Sequence, residues 1–225
     1  MTKDVTPKGS LPSIIRNDDE LYKGDLRHYF RVVYHLARNN SHPYHNFRHM
    51  MHVTWLCYQA CLYYRDKLNR RGMRSLLVAA MMHDFDHTGM IGSDDDLNIE
   101  FAVRGLKRNI AEEDKRYFPE IASLIKGTEY PHKAPIETVP LRVQILREAD
   151  MSQSMSVAWI QQINFGLAGE ARTKPIDILR MQPEFHRKMR YHTEWGKQFF
   201  KRSDLDLKSD EAEELLELLE PLPPK

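Results

Sequence analysis

The spacing of apolar residues is the strongest constraint on the fold of this 225-residue chain. Along most of its length, apolar side chains recur every three or four positions, which is the period of an amphipathic α-helix. The alternation of apolar and polar residues that is typical of β-strands is essentially missing. The sequence therefore predicts an all-α fold, a compact bundle of about eight or nine helices.

The predicted helices are separated by breaks of recognisable composition. Gly72 is expected to break the chain after a helix that ends near Asn69, and the glycines and aspartates of residues 87–96 predict a loop. Residues 1–17 are predicted to be a loose lead-in, and residues 18–225 to be one all-α domain. The helices are predicted at residues 17–40, 46–69, 74–85, 97–110, 119–128, 140–154, 157–167, 184–200 and 209–220.

Composition excludes several classes of partner. The chain has 33 Lys and Arg against 32 Asp and Glu, so no field of one sign exists to attract a nucleic acid polymer or an anionic membrane. No apolar run is long enough to span a bilayer, and the first residues lack the apolar centre of a secretory signal. Cys57 and Cys61 are interpreted as buried thiols in a reducing compartment. A cytoplasmic location is expected.

Three histidines stand close together in "PYHNFRHMMHV", at His45, His49 and His52. On a helix, their spacings of four and three place them on one stripe, where leucine would be usual. A second dense motif is "AAMMHDFDHTG", with His83, Asp84 and His87. Adjacent helical side chains point about 100° apart, so His83 and Asp84 reach one centre only if the helix ends there.

Asp150 follows a third helical run, "ILREADMSQS". Together with His49, His83 and Asp84 it completes a set of two imidazoles and two carboxylates from three helices. Such a mixed set suits Zn²⁺, Fe²⁺ or Mn²⁺, with Mg²⁺ or Mn²⁺ as a second ion on a carboxylate. A buried core with these polar groups and no metal would be hard to satisfy. Two adjacent ions suit the cleavage of a phosphate ester.

These motifs resemble a known family. "YHNFRH", "HDFDHTG" and the later "ADMS" are similar to the catalytic domain of the class I cyclic nucleotide phosphodiesterases, within the HD-domain phosphohydrolase superfamily. The resemblance covers residues from about 26 to 200. It implies a compact HD-type bundle, two divalent ions, and hydrolysis of cyclic AMP or cyclic GMP to the 5'-monophosphate by a metal-bridged hydroxide.

The resemblance also implies roles for individual residues. His49, His83, Asp84 and Asp150 would bind the tightly held metal, and Asp84 would also contact the second ion. His45 would be the general acid that protonates the leaving sugar oxygen, a task suited to imidazole near neutral pH. His87 would orient metal-bound water.

Substrate contacts are implied further along the chain. Tyr44 belongs to the first motif, and Gln182 and Phe185 stand three apart on one helix face, where an amide and an aromatic ring would hold the purine. Phe185 is equally compatible with a core position and Gln182 with a surface one. Thr128 and Glu129 would border the pocket, and His132 would form part of its wall.

Three departures from the family pattern bear on the substrate and on the general acid. His52 stands where the family usually has an aspartate, and Gly92 where it commonly has an asparagine. The loop after His87 is also shorter, so the glutamate that partners the acid histidine has no clear match. Glu100 and Asp96 are the nearest acidic candidates.

Four hypotheses follow for function, with a small nucleotide as the expected partner. The first is the cyclic nucleotide phosphodiesterase, and the second is an HD phosphohydrolase acting on another nucleotide or a cyclic dinucleotide. The third is an HD-type di-iron oxygenase, and the fourth is a non-catalytic nucleotide sensor. The acidic terminal helix is expected to cap the bundle or to pack against a second subunit in a homodimer.

Overall fold

The computed structural model of the chain describes residues 25–89 and 95–219. Within these ranges the chain forms ten α-helices and no β-strand, which confirms the all-α prediction. None of the described helices combines the length and the apolar character needed to cross a bilayer. The lead-in predicted for residues 1–17 lies outside the described residues. The helices are α1 (Asp25–Leu36), α2 (Phe47–Tyr63), α3 (Arg70–Met82), α4 (Asp95–Asn109), α5 (Phe118–Lys126), α6 (Leu141–Met151), α7 (Gly166–Ala171), α8 (Pro175–Lys188), α9 (Glu194–Phe199) and α10 (Arg202–Leu219).

Shorter helical turns connect several of these elements. A π-helix at Ile160–Phe165 leads into α7. Together, the π-helix and α7 correspond to the helix predicted at residues 157–167. The observed segment begins later than predicted, at Ile160, and continues to Ala171. There Arg172 takes a left-handed conformation at φ 53° and ends the helix. The 3₁₀ turns are at Arg38–Ser41, Glu112–Tyr117, Ile136–Thr138 and Ser152–Met155.

Helix α3 is the centre of the main core. It packs against α1, α2, α4, α5 and α6. The run from Ser75 to Met82 is fully buried, as its apolar sequence predicts. Each buried leucine there stabilises the fold by roughly 1.5–3 kcal/mol. The end of α3, which leads directly into His83 and Asp84, is therefore anchored in the main core.

A second apolar cluster lies beside the main core. It is formed by the π-helix, α8 and α10 around Trp159, Ile163, Leu179 and Ala212. Tyr44, just before α2, packs against this cluster. The second cluster therefore contacts the chain segment that carries His45.

The boundary predicted between the second and third helices is wrong. Helix α2 ends at Tyr63, and Asn69 begins the next helix instead of ending the last one. The side-chain oxygen of Asn69 accepts the backbone N–H of Gly72 at 2.7 Å, which is the geometry of an N-cap. Gly72 therefore lies in the first turn of α3 and breaks nothing.

The single helix predicted at residues 184–200 is also wrong. The structure has two helices there, because Glu148 of α6 hydrogen-bonds to the backbone of the segment between them. Its carboxylate accepts the backbone N–H groups of His192 and Thr193 and the Thr193 hydroxyl. Thr193 in turn caps α9 by accepting the N–H of Gly196 at 2.9 Å. Helix α8 continues through Pro183 and begins earlier than predicted, at Pro175.

Candidate active site

The start of α2 positions the first histidines. Asn46 is the N-cap, and its side-chain oxygen accepts the backbone N–H groups of Arg48 and His49. Its amide nitrogen donates to the carbonyls of His42, at 2.6 Å, and Pro43, at 3.2 Å. Asn46 therefore fixes the approach of the chain as well as the first turn of the helix. His45 stands immediately before the cap, and His49 lies buried in the first turn.

The end of α3 positions His83 and Asp84. The helix ends at Met82, so the two adjacent side chains turn toward one point, as the motif requires. Nδ1 of His83 lies 2.8 Å from the carbonyl oxygen of Ala80. A proton on Nδ1 satisfies that carbonyl and leaves Nε2 with a free electron pair, the arrangement common in metal-binding histidines.

Asp150, near the end of α6, completes the cluster. Its Oδ1 lies 3.0 Å from Nε2 of His49 and 3.4 Å from Nε2 of His83. Oδ2 of Asp84 lies 3.3 Å from each of the same two nitrogens. We call His49, His83, Asp84 and Asp150 the ligand cluster. Its four groups, separated by up to 101 residues, meet at one point.

The charges of the ligand cluster depend on one another. Burial opposes protonation of His49, but hydrogen bonds to Asp150 and Asp84 raise its pKa to about 9. Burial likewise opposes protonation of His83, yet the charges of the two aspartates hold its pKa well above the usual value. Burial also opposes ionisation of Asp84 and Asp150, but the charge of His83 and hydrogen bonds from both imidazoles keep their pKa values low.

The ligand cluster fits a divalent cation. Nε2 of His49 and Nε2 of His83 are only 3.4 Å apart, and both face the two carboxylates. Oδ2 of Asp84 is buried, and the two imidazole nitrogens beside it are 3.3 Å away. An ion among these atoms would satisfy the buried oxygen and replace the protons that the aspartates hold on the imidazoles. Two nitrogen and two oxygen ligands suit Zn²⁺, Fe²⁺ or Mn²⁺.

The acidic partner of His45 is Glu170, which sequence reasoning missed. Oε2 of Glu170 lies 2.5 Å from Nδ1 of His45, and its Oε1 accepts the backbone N–H groups of Tyr44 and His45. Burial raises the pKa of Glu170, but the hydrogen bond with His45 and its charge leave the pKa below the usual value. The glutamate is therefore an anion held against the imidazole.

The two candidates named from the sequence do not reach His45. Glu100 lies on the exposed face of α4 in an ion pair with Arg104, and Asp96 is exposed beside Lys133. Their proximity along the chain to His87 does not bring them to the site, because α4 points both carboxylates toward solvent. Glu170 had no recognisable signal, since it ends an irregular π-to-α segment 125 residues after His45.

His87 stacks on His45. Their ring centroids are 3.8 Å apart and the rings are inclined by 18°. Nδ1 of His87 accepts the backbone N–H of Gly89 at 3.0 Å. Burial and the charge of His45 lower the pKa of His87 to about 4. His87 is therefore a neutral ring beside the acid candidate.

A cavity of about 640 Å³ opens in front of these groups. His45, His87 and Asp150 form part of its lining on one side. Its volume is typical of a pocket for a small organic ligand. Apolar residues supply much of the rest of the lining, including Ile163, Leu167, Ile178 and Met181.

Most of the residues predicted to contact or border the substrate line this cavity. Tyr44, Gln182, Phe185, Thr128 and His132 all line it. Oε1 of Gln182 is buried without a hydrogen-bond partner, while its amide nitrogen lies 3.4 Å from the carbonyl of Ile178. The hydroxyl of Thr128 donates to the carbonyl of Ile125 at 2.8 Å.

Glu129 differs from the other pocket candidates. It is absent from the described lining of the cavity, and its carboxylate pairs with Lys133. Nδ1 of His132 donates to the backbone carbonyl of Glu129 at 2.9 Å. The backbone of Glu129 therefore supports His132, which lines the cavity, while its carboxylate is paired at the surface.

Asp95 is a second residue that sequence reasoning missed. It lines the cavity at the start of α4, and its Oδ2 accepts the backbone N–H of Tyr130. Burial and the charge of Asp84 raise its pKa, partly offset by that hydrogen bond. It stands within a run of aspartates, which is typical of an exposed loop, so the sequence did not mark it as a pocket residue.

Of the two positions at which this chain has a different residue from the family pattern, the structure describes His52. His52 lies one turn beyond His49, and burial and the charge of His49 lower its pKa to about 4. It is a neutral imidazole where the family usually has an acid, so it adds no ligand charge. Gly92 lies outside the described residues.

One segment of the chain, which carries most of these site residues, matches a known protein family. Residues 44–93 match the model of the 3'5'-cyclic nucleotide phosphodiesterase family. This match confirms the resemblance inferred from the motifs and supports a hydrolase acting on phosphodiester bonds. The phosphodiesterase match includes His45, His49, His83, Asp84 and His87, whereas Asp150, Glu170 and Gln182 lie beyond it. No curated protein and no solved structure matches the chain.

Proposed function

We propose that this protein is a metal-dependent 3',5'-cyclic nucleotide phosphodiesterase that converts cyclic AMP, cyclic GMP or both to the 5'-monophosphate. One observation carries the proposal: Asp150 of the ligand cluster and His45, which is held by Glu170, line the same cavity. A phosphodiesterase needs a place for its metal ions and a proton donor beside it. The family match at residues 44–93 supports the same activity.

The ligand cluster would hold the tighter ion, with Zn²⁺, Fe²⁺ or Mn²⁺ as candidates. Asp84 would also contact a second ion, Mg²⁺ or Mn²⁺, and Asp95 stands close enough to influence that side electrostatically. When bound, two such ions supply a nucleophilic hydroxide at neutral pH and positive charge for the phosphoryl oxygens. The carboxylates of Asp84 and Asp150 offset part of that charge and fix where it sits.

His45 would act as the general acid. Glu170 holds Nδ1 of the imidazole, so Nε2 is the atom left to donate a proton to the leaving O3' of the ribose. The carboxylate of Glu170 also fixes the ring in the orientation that directs Nε2 away from the glutamate. His87, neutral and stacked on His45, keeps the ring in one orientation without adding a competing positive charge.

The charge of the cavity favours a phosphodiester over a nucleoside triphosphate. Among the described residues that line it, none is lysine or arginine. A triphosphate would bring several negative charges into a pocket with two aspartates and no fixed cation. A cyclic nucleotide brings one negative charge, which bound metal ions can neutralise.

The far side of the cavity would hold the base. The unpaired Oε1 of Gln182 can accept a hydrogen bond from a base N–H, and Phe185 offers an aromatic ring nearby. Base stacking on such a ring is worth about 1–3 kcal/mol. Tyr44, packed between the second cluster and the rings of His45 and His49, would close the pocket beside the phosphate.

The test is a substrate panel on protein loaded with Zn²⁺ and then with Mg²⁺ or Mn²⁺. The panel includes cyclic AMP, cyclic GMP, a cyclic dinucleotide, a deoxynucleoside triphosphate and a nucleoside monophosphate. We expect turnover of a cyclic mononucleotide and its loss in His45→Ala with metal content unchanged. A metal-loaded protein that leaves both cyclic mononucleotides intact would overturn the substrate assignment, and hydrolysis of another panel member would replace it.

A further inference from the structure

Asn39 connects two parts of the active site through one buried side chain. The residue lies in the 3₁₀ turn Arg38–Ser41 and is completely shielded from solvent. Its amide nitrogen donates to the backbone carbonyl of His45 at 2.6 Å and to that of Asp84 at 2.9 Å. Its Oδ1 accepts the backbone N–H of Asp86 at 3.0 Å.

These bonds use both N–H groups and the oxygen of the amide. A buried amide with all its groups paired is held in one orientation, since any rotation would leave a polar atom unsatisfied. The backbone of His45 and the backbone of Asp84 are 39 residues apart in the chain. Asn39 therefore sets the distance between them as a rigid spacer.

Asp86 also binds the turn that contains Asn39. Its backbone is left-handed, with φ at 65°, which is uncommon for a residue with a side chain. Its Oδ1 accepts the backbone N–H of Arg38 at 2.9 Å, while its own N–H donates to Asn39. This reciprocal pair holds the turn after Asp84 in the conformation that presents Asp84 to the ligand cluster.

We propose that Asn39 is a positioning residue that places the general acid His45 relative to the ligand cluster. This inference rests on the proposed function of the same site. Asn39 touches neither the substrate cavity nor the ligand atoms, so it acts only through the two backbone segments that it joins. A misplacement of about 1 Å in a reacting group can cost about 100-fold in rate.

The adjacent Asn40 provides a matched control. Its amide nitrogen also donates to two backbone carbonyls, those of Val33 and Tyr34, at 2.9 and 2.7 Å. Those carbonyls belong to α1 and not to the active site. Asn39→Asp and Asn40→Asp therefore make the same chemical change at neighbouring positions, and Asn39→Ser with Asn40→Ser form a second pair if the aspartate variant does not fold.

The first readout compares two leaving groups on metal-loaded protein. A cyclic nucleotide expels a sugar alkoxide and needs the proton of His45, whereas bis(p-nitrophenyl) phosphate expels an acidic phenol that departs without one. We expect the Asn39 variant to lower kcat for the cyclic nucleotide by about 10- to 100-fold and to change kcat for the phenyl ester by less than about threefold. The Asn40 variant should leave both rates near wild type. An equal loss on both substrates, or no loss on either, would overturn the proposal.

The second readout needs no turnover. The short contact between Nδ1 of His45 and Glu170 should give a strongly deshielded proton in ¹⁵N-histidine NMR spectra of the metal-free protein. We expect this resonance to shift or disappear in the Asn39 variant and to persist in the Asn40 variant. An unchanged resonance in the folded Asn39 variant would overturn the proposal. A wild-type protein that hydrolyses no cyclic nucleotide would refute the proposed function instead, and the resonance would still test Asn39.

Discussion

Oε2 of Glu170 lies 2.5 Å from Nδ1 of His45, although 125 residues separate the two along the chain. The same carboxylate group also holds the backbone N–H groups of Tyr44 and His45. Glu170 thus fixes the ring and the main chain of the acid candidate together. Its side chain is almost completely buried, so a single anion in a shielded position serves both purposes.

Glu170→Gln should impair proton donation without changing the shape of the site. The substitution replaces the carboxylate that holds Nδ1 of His45 with a neutral amide of the same size, so we expect kcat for a cyclic nucleotide to fall by about 10- to 100-fold, within the range of general acid catalysis. The matched control is Glu100→Gln, which changes an exposed carboxylate on α4. Steady-state kinetics on both variants checks this, and an equal effect of the two substitutions would contradict the role of Glu170.

Asp150→Ala should remove metal while leaving the fold intact. Asp150 is the most exposed of the four cluster residues, with 25% of its side-chain surface accessible, so its loss leaves little buried surface unfilled. Loss of one ligand should weaken zinc binding by more than about 100-fold. Titration calorimetry with Zn²⁺ measures the change. Asp96→Ala, at an exposed aspartate, should bind as wild type does, and unaltered zinc affinity in Asp150→Ala would exclude this residue as a ligand.

Gln182→Ala should affect binding more than chemistry. Gln182 lines the part of the cavity assigned to the base and its Oε1 has no hydrogen-bond partner, so we expect KM to rise about 10-fold, the equivalent of a single hydrogen bond, with kcat nearly unchanged. Glu184→Ala provides the control, because Glu184 is exposed and paired with Lys188 on the same helix. A fall in kcat with KM constant would place Gln182 elsewhere in the reaction.

Asp114 should be a major source of stability in the main core. It is fully buried and accepts hydrogen bonds from Arg71, Arg74 and the hydroxyl of Tyr29. Removing one member of such a buried charged network costs about 3–5 kcal/mol. We therefore expect Asp114→Ala to lower the free energy of unfolding in urea by that amount. Glu112→Ala, at an exposed ion pair, should change it by less than about 0.5 kcal/mol.

The contribution of Asp114 should also depend on pH. Burial raises the pKa of Asp114, but hydrogen bonds from Arg74 and Arg71 outweigh burial and hold the pKa below its usual 3.8. Because the folded value is the lower one, the stabilisation is present above pH 3.8 and is lost as the pH falls toward the folded value. Urea unfolding of the wild type between pH 6 and 3 should show this loss. The Asp114→Ala difference should shrink over the same range, and a difference that stays constant would contradict it.

The sequence predicted the ligand cluster because helix geometry and ligand chemistry both act locally. A histidine in the first turn of α2 and a His-Asp pair at the end of α3 can be recognised from a few neighbouring residues. Asp150 needed only its position at the end of an apolar helical run. Their convergence then follows from the packing of α2, α3 and α6 on one another.

Features that depend on distant backbone contacts could not be predicted in this way. Glu170 reaches His45 only because the π-helix and α7 fold back over the start of α2. The break between α8 and α9 depends on Glu148, which binds backbone N–H groups more than 40 residues later. Gly72 was misinterpreted because a glycine after a polar run is typical of a helix end, whereas here Asn69 supplies a cap and begins a helix.

The central claim is that His49, His83, Asp84 and Asp150 bind one common cation. The most direct measurement is anomalous diffraction at the zinc absorption edge from crystals of the protein loaded with Zn²⁺. The account predicts a single strong peak about 2.0–2.2 Å from Nε2 of both histidines and from one carboxylate oxygen of each aspartate. A zinc-loaded crystal with no peak among these four side chains, or with the side chains directed away from one another, would contradict it.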